Sequence, residues 1–249
     1  MRRIIWMLAL VVLAAGSSAR AAQTSVAVAA NFTEAAKEIA AAFKQKTGDE
    51  AVLSFGASGP FYTQITQGAP FEIMLSADDE RPRKLMEDGL AVASSRFTYA
   101  IGKLVLWSRD AGLVKDADTL KAGRFSKLAI AAPAAAPYGA AAVETLKALQ
   151  IYDAVAPKIV QGNSIAQAFQ FIDTGNAELG FVALAQLVGH DGGSRWVVPP
   201  SLYSPIRQDA VLLKKGEANP AATGFMAFLH GPEATAIITR YGYGLATSE

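Results

Sequence analysis

Three short segments of this chain are almost continuously apolar, where a half-exposed strand would alternate apolar and polar residues. They are VAVAA at 26–30, IMLSA at 73–77 and LAIAA at 128–132. A strand that is covered by helices on both faces has this pattern. Helical patterns lie between these segments, and strands that alternate with helices indicate an open sheet with right-handed crossovers. The chain is therefore predicted to be an α/β protein.

The same alternation of strand and helix extends along most of the chain. The stretch FTYAI at 97–101 leads from a first βαβαβα run, which ends near Gly89, to a second set of units. We predict helices at 33–46, 60–67, 79–88, 140–149, 165–174, 220–229 and 232–241. We predict strands at 25–30, 51–55, 71–76, 103–108, 127–132, 158–160, 179–183, 195–198 and 210–214.

The two sets of units predict two sheets, each mostly parallel, flanked by helices and placed in its own lobe. A proline-rich segment, PPSLYSP at 199–205, precedes the last strand and favours an extended crossover over a compact loop. We therefore predict that residues 22–101 and 205–249 form lobe 1 and that residues 102–204 form lobe 2. Two connecting strands between lobes are a layout that permits hinge closure. One continuous doubly wound domain is the alternative.

The first 21 residues have the pattern of a secretory signal peptide. Arg2 and Arg3 precede apolar residues 4–15, and Ala19-Arg20-Ala21 is a small-x-small cleavage site. The apolar stretch would span only about 18 Å as a helix, against about 30 Å for a bilayer core, although an N-terminal membrane anchor is the alternative. The chain has no cysteine for a lipid anchor or a disulfide. These features predict an exported, unanchored protein of a Gram-negative periplasm.

The charge balance argues against a nucleic-acid or polybasic membrane binder. The whole chain has 23 basic and 22 acidic residues, and three of the basic ones lie in the predicted signal. Without them, 20 Lys and Arg stand against 22 Asp and Glu, a net charge of −2. A protein that binds a polyanion by electrostatics carries the opposite balance.

Helix starts that directly follow predicted strands indicate an anion site. Asn31 and Ser58 lie at two such starts in the first lobe, and no Lys or Arg lies in either turn. In the second lobe, Tyr138 lies in the turn before one helix and Ile165 follows Ser164 at the start of another. A helix N-terminus offers free N–H groups and a partial positive charge. Ligands of open α/β sheets bind at this edge.

Each of these residues also has an ordinary structural interpretation. Asn31 and Ser58 are common helix caps, and Ser164 with Gln167 has the spacing of a capping box. Tyr138 is equally typical of a half-buried packing aromatic. Their joint position at the carboxyl ends of strands, two in each lobe, favours a shared binding role.

The mature chain resembles the periplasmic molybdate-binding proteins of ABC importers, because several of its motifs occur in the same order and at the same spacing as in that family. The resemblance implies the two-lobed type II periplasmic-binding-protein fold, with the ligand in the interlobe cleft. It covers the mature chain nearly from end to end. The motifs are VAANFTEA at 28–35, FGASG at 55–59, FEIMLSAD at 71–78, PYG at 137–139, and GPEA at 231–234 followed by RYG at 240–242.

The resemblance implies a tetrahedral dianion, molybdate or tungstate, held between the lobes. Asn31 would supply side-chain and backbone donors, Ser58 its hydroxyl and N–H, Tyr138 its phenol, and Ile165 a helix-terminal N–H. Ala30 would add a backbone contact. Some members of the family carry a ligand-binding Tyr where this chain has Ala183, and Ala183 takes no such role.

The resemblance also implies a transport protein and not an enzyme. Its partners would be the oxyanion and the membrane permease of an ABC importer, with no cofactor, no metal bound directly by side chains, and a monomeric state. A receptor for another tetrahedral oxyanion, such as sulfate, is the alternative within this class. An exported serine hydrolase that uses Ser58 is the alternative from another class, and it requires a histidine that reaches Ser58.

Overall fold

A computed structural model describes residues 21–246, so the predicted signal segment, apart from Ala21, lies outside the described residues. Within that range, ten strands form two five-stranded sheets. The first sheet has the order β2-β1-β3-β10-β4, with β1 Gln23–Ala29, β2 Glu50–Gly56, β3 Ile73–Leu75, β4 Phe97–Gly102 and β10 Ile206–Leu212. The second has the order β7-β6-β8-β5-β9, with β5 Leu104–Ser108, β6 Leu128–Ala131, β7 Ile159–Gly162, β8 Leu179–Ala183 and β9 Ser194–Val197.

The predicted helices and strands are all present, with ends that shift by a few residues. Among the described strands and α-helices, three were not predicted: the strand β4, which was treated only as a connection, and the short helices α4 and α6. The helices are α1 Thr33–Thr47, α2 Ser58–Thr66, α3 Glu80–Glu87, α4 Ala117–Ala122, α5 Pro137–Ala148, α6 Tyr152–Val155, α7 Ile165–Asp173, α8 Pro220–Leu229 and α9 Pro232–Arg240.

The two sheets have the same internal arrangement. In the first, β2, β1 and β3 are parallel and β10 is antiparallel to both β3 and β4. In the second, β7, β6 and β8 are parallel and β5 is antiparallel to both β8 and β9. This confirms the two-lobed fold, and the alternative of one continuous sheet is wrong. The lobe boundaries at 101/102 and 204/205 stay a prediction.

Each sheet has a hydrophobic layer on both faces, as the continuously apolar strands predicted. Val26 and Val28 pack with Phe43 and Phe225 from α1 and α8 on one face of the first sheet. Ala27, between those two valines, packs on the other face with α2 and α3. The second sheet is covered in the same way on both faces. Burial on both faces fixes the strand ends, and with them the helix starts that follow.

The chain passes from one sheet to the other at two places. A single residue, Lys103, separates β4 from β5. The return segment contains a short 3-10 turn at Pro200–Leu202, so it is less extended than the prolines predicted. Within residues 21–246, no helix has both the length and the apolar character required to cross a bilayer.

Candidate functional site

Residues from all four predicted helix starts line one small cavity between the two sheets. About 10 Å³ of it is open to the centre of a water molecule, so the cavity is narrow. Within the described part of the chain, its lining contains no Lys, Arg, Asp or Glu. The lining residues are 29–31, 56–58, Ala77, 136–138 and Ile165.

The five predicted site residues therefore lie together, and all of them are buried. Asn31 is 4% exposed, Ser58 and Tyr138 are 1% exposed, and Ile165 is 3% exposed. Ala30, the fifth, is 7% exposed and lies beside Asn31 in the lining. Their proximity was predicted from four separate stretches of sequence. Their role as ligand contacts stays a prediction.

Helix starts from both lobes line this cavity. Ser58 begins α2, Ile165 begins α7, and Asn31 lies in a 3-10 turn, Ala30–Phe32, that precedes α1. The first N–H groups of a helix have no intrahelical partner, and the aligned dipoles add a partial positive charge. The cavity thus presents positive potential without a charged side chain.

The capping interpretation is wrong for Asn31 and Ser58. Neither side chain caps its helix, since the residues at the cap positions are Ala29, Phe32 and Ala57. For Ser164 the cap is confirmed, because its hydroxyl accepts from Gln167 N at 3.3 Å, whereas Gln167 Oε1 accepts from Asn163 N and so does not complete the capping box. The side chains of Asn31 and Ser58 are thus available for other contacts.

The hydroxyl of Ser58 is oriented by the neighbouring strand end. Ser58 Oγ accepts a hydrogen bond from Ala77 N at 2.9 Å and donates to no atom of residues 21–246. Since its lone pair is engaged by Ala77, the proton of Ser58 is free to point into the cavity. The arrangement makes Ser58 a donor toward any group bound there.

Tyr138 lies in the first turn of α5, and the helix starts three residues earlier than predicted. Pro137 occupies the first helical position, where its fixed φ favours the start and its missing N–H is not needed. Tyr138 Oη accepts from Gln208 Nε2 at 3.1 Å. Burial raises the pKa of the Tyr138 phenol well above its usual range, so the hydroxyl keeps its proton.

The side-chain amide of Asn31 is directed to protein partners. Its Nδ2 donates to Gln208 Oε1 at 2.8 Å and to Tyr243 Oη at 3.1 Å. Both N–H groups of the amide have an acceptor in this geometry. The predicted side-chain donor is therefore engaged, and the backbone N–H of Asn31 is the group left for a ligand.

Sequence reasoning missed three residues of this buried polar network: Gln208, Tyr99 and Tyr243. They are 0%, 4% and 5% exposed, respectively. The last strand was predicted to begin at residue 210, which placed Gln208 in a loop, whereas β10 begins at Ile206. The usable signal was the polar pair Gln208-Asp209 directly before an apolar run, where the register of β10 shifts against β4.

Contacts between the lobes enclose the cavity. Gly59 N donates to Ala135 O at 3.0 Å, and Arg81 Nη2 donates to Ala134 O at 3.1 Å. Arg81 also pairs with Asp78, whose carboxylate accepts from Arg81 N in the first turn of helix α3. This charged pair lies outside the cavity lining.

The two histidines lie elsewhere. His190 packs against Phe169 at 5.1 Å and Trp107 at 6.2 Å between ring centroids, and His230 packs against Phe97 at 4.8 Å. Neither lines the cavity that contains Ser58. Among the described residues, no group of three or more His, Asp or Glu is placed to hold a metal ion.

The fold and the site define a two-lobed solute-binding protein. The chain belongs to the family described as bacterial extracellular solute-binding proteins, whose model matches residues 24–244.

Relatives and a solved structure resemble the chain over nearly its full length. It is 55% identical over 225 residues to the molybdate-binding protein ModA of Rhodobacter capsulatus, covering 90% of this chain and 89% of that protein. It is 56% identical over 232 residues to the Azotobacter vinelandii protein of the same name, covering 92% of each. The solved structure of the Azotobacter vinelandii periplasmic molybdate-binding protein superposes with a TM-score of 0.87 at 42% identity, covering 90% of this chain and all of that one.

Proposed function

We propose that this chain is a periplasmic solute-binding protein that captures molybdate, and also tungstate, for an ABC importer. One observation carries the proposal: four helix starts, two from each lobe, converge on a narrow cavity that has no charged side chain in its lining and whose hydroxyl groups are directed as donors. The identity of the ligand is supported by the names of the relatives, which are more than half identical to this chain.

A dehydrated dianion suits a site of this kind. Removal from water costs the ion a large hydration energy, so each oxygen needs a compensating donor. Fixed N–H and O–H groups, with helix dipoles behind them, supply that compensation without a formal charge. A protonated phosphate carries an O–H and needs an acceptor, so a cavity of donors disfavours it. Sulfate differs from molybdate mainly in size, and the relatives favour molybdate.

Capture requires that the lobes move. A tetrahedral oxyanion is larger than a water molecule, while the cavity has only about 10 Å³ open to a water centre. The ion therefore enters while the lobes are apart and is enclosed when they close. Closure adds the donors of Tyr138 and Ile165 to those of Asn31 and Ser58, which explains why the ligand favours the closed form. The permease would recognise that form.

A serine hydrolase is not proposed. Ser58 has no histidine in its cavity, and its hydroxyl accepts from a backbone N–H instead of donating to a base. Export to the periplasm, a monomeric state and the lack of a cofactor stay predictions of the sequence and its resemblance.

Thermal unfolding with added anions tests the proposal. The protein is heated with molybdate, tungstate, sulfate or phosphate at equal ionic strength, because a ligand that binds only folded protein raises the Tm. We expect a large rise with molybdate and tungstate and little with the other two. Equal rises with sulfate contradict the selectivity, and no rise with any of the four anions contradicts the proposed function.

A further inference from the structure

We propose that Gln208 and Tyr243 are positioning residues that hold Tyr138 as a donor-only group toward the cavity, and thereby set the preference for fully deprotonated oxyanions. Neither Gln208 nor Tyr243 lines the cavity. The inference rests on the proposed function, since it assumes that the phenol of Tyr138 contacts the bound anion. It follows from the direction of each hydrogen bond in the buried network.

The backbone carbonyl of Asn31 determines which group donates in the first hydrogen bond of the network. Tyr243 Oη lies 2.8 Å from Asn31 O, and a carbonyl oxygen can only accept, so Tyr243 must donate its single proton there. Toward the Asn31 side chain, Tyr243 can then only accept. The atom that Asn31 presents at 3.1 Å is therefore the amide nitrogen Nδ2, and this fixes which way the amide is turned.

The orientation of the Asn31 amide determines that of the Gln208 amide. The atom of Gln208 that lies 2.8 Å from Asn31 Nδ2 must be an acceptor, so it is Oε1. Turning the Gln208 amide over would place two NH₂ groups against each other. Tyr99 Oη lies 3.1 Å from the same Oε1 and 3.0 Å from Ser76 O, and its proton is shared between these two acceptors.

The series of hydrogen bonds ends at Tyr138. With Oε1 engaged, Gln208 presents Nε2 to Tyr138 Oη at 3.1 Å, so that oxygen accepts and its own proton must point elsewhere. Tyr138 Oη donates to no atom of residues 21–246, and Tyr138 is one of the residues that line the cavity. Burial raises the pKa of Tyr99, Tyr138 and Tyr243 alike, so all three phenols keep their protons and the directions persist at neutral pH.

A donor that cannot turn discriminates between anions. A deprotonated oxygen accepts from Tyr138 in this arrangement, whereas a ligand O–H would meet a proton that it cannot displace. If Gln208 is replaced by an apolar residue, Tyr138 Oη is free to rotate and can offer a lone pair instead. The network therefore determines specificity through a residue of the cavity wall.

The test compares two variants, Gln208→Met and Tyr243→Phe, with the unchanged protein. The control is Thr145→Val, which removes a buried hydroxyl from α5 that bonds only to Ala141 O and lies outside the network. Calorimetric titration gives the Kd for molybdate, and competition gives the Kd for inorganic phosphate. We expect each variant to weaken molybdate binding by about tenfold or more while the ratio of phosphate Kd to molybdate Kd falls, and the control to keep both values.

A role limited to stability would lower the Tm without changing the ratio of the two constants. The inference is overturned if molybdate and phosphate weaken equally, if molybdate affinity stays unchanged, or if the variants still exclude phosphate as the unchanged protein does. Tyr243→Phe keeps the test decisive if Gln208→Met does not fold, because it leaves the Gln208 side chain in place. Lack of molybdate binding by the unchanged protein would instead contradict the proposed function.

Discussion

Gly102, the last residue of β4 in the first sheet, lies directly against the phenol of Tyr138, which belongs to helix α5 of the second sheet's hydrophobic layer. A Cβ atom on Gly102 would lie 2.7 Å from Gln208 Nε2 and closer still to Tyr138 Oη. The residue after Gly102 is the one-residue link to the second sheet. The connection between the lobes thus runs beneath the polar network of the candidate site, and only a residue without a side chain fits there.

Replacing Gly102 by Ala is expected to displace Tyr138 and Gln208. We expect molybdate affinity to fall by tenfold or more and the free energy of unfolding to fall by about 1–3 kcal/mol, the usual cost of overpacking. Calorimetric titration and denaturant unfolding measure the two effects. Gly192→Ala is the control, since a Cβ there meets nothing within 4 Å. Unchanged binding in Gly102→Ala would show that the phenol position is not critical.

Replacing Tyr138 by Phe removes one donor from the second lobe. The loss of a hydrogen bond to a charged ligand costs about 1.5–3 kcal/mol, so the Kd for molybdate should rise about 10- to 150-fold. Calorimetric titration measures the change. Tyr152→Phe is the control, because Tyr152 lies outside the cavity lining. If Tyr138→Phe binds as tightly as the unchanged protein, Tyr138 is not a ligand contact.

Replacing Ser58 by Ala has two effects that can be separated. The variant loses the hydroxyl donor. It also leaves Ala77 N without its acceptor, because this N–H donates to Ser58 Oγ at 2.9 Å in the unchanged protein. We expect weaker molybdate binding of the same size as for Tyr138→Phe, and a free energy of unfolding lower by about 1–3 kcal/mol. Ser201→Ala, at an exposed position, should change neither. A stability loss without an affinity loss would limit Ser58 to a structural role.

Replacing Gly59 by Ala should weaken the binding of molybdate without lowering the stability of the protein. Alanine is the better helix former by about 0.8–1.0 kcal/mol in a helix interior, so helix α2 should not be weakened. In this structure, however, the new Cβ would lie 3.0 Å from Ala135 O and 3.2 Å from Ala135 Cα. We expect an unchanged or higher Tm without ligand and weaker binding of molybdate. Equal affinity would mean that the lobes close without this contact.

The ion pair between Arg96 and Asp209 should make stability depend on pH. Burial raises the pKa of Asp209 above its ordinary value, while Thr98 and Arg96 favour the carboxylate and limit the rise. An acid with a raised folded-state pKa contributes stability at low pH that is lost as pH rises through that pKa. Arg96→Gln removes part of the compensation, so its cost should be largest at neutral pH and should shrink on acidification.

We expect Arg96→Gln to lower the free energy of unfolding by about 1–2 kcal/mol at neutral pH. This is less than for a fully buried pair, because the Arg96 side chain is 35% exposed whereas that of Asp209 is 2% exposed. Denaturant unfolding at neutral and acidic pH measures the difference. Arg83→Gln, which breaks an exposed pair with Glu87, serves as the control. A cost that is independent of pH would show that Asp209 does not respond to Arg96.

Much of the fold is encoded locally and was therefore predictable. Apolar runs such as 26–30 and 128–132 show burial on both faces, and the helix starts beside Asn31, Ser58 and Ile165 follow from strand ends. Helices α4 and α6, with six and four residues, are too short to show a helical period. Strand β4 pairs with β10 and, through Ile101, with Gly244, both more than 100 residues later in the chain, and nothing local specifies those partners.

The network behind the site could not be predicted for the same reason. Asn31 and Gln208 are 177 positions apart, and Asn31 and Tyr243 are 212 positions apart. A single Gln before an apolar run has no pattern that links it to a helix start at the other end of the chain. The four helix starts were found because they share one local signature, whereas the residues that orient their side chains share none.

The absence of charged side chains from the cavity lining also has a kinetic consequence. The potential of a dipole falls off with distance faster than that of a formal charge, so the site attracts an anion only at close range. The lining therefore adds no long-range attraction that salt could screen. The field of the whole protein remains, and the net charge of −2 without the predicted signal repels a dianion, so added salt should raise the association rate slightly instead of lowering it.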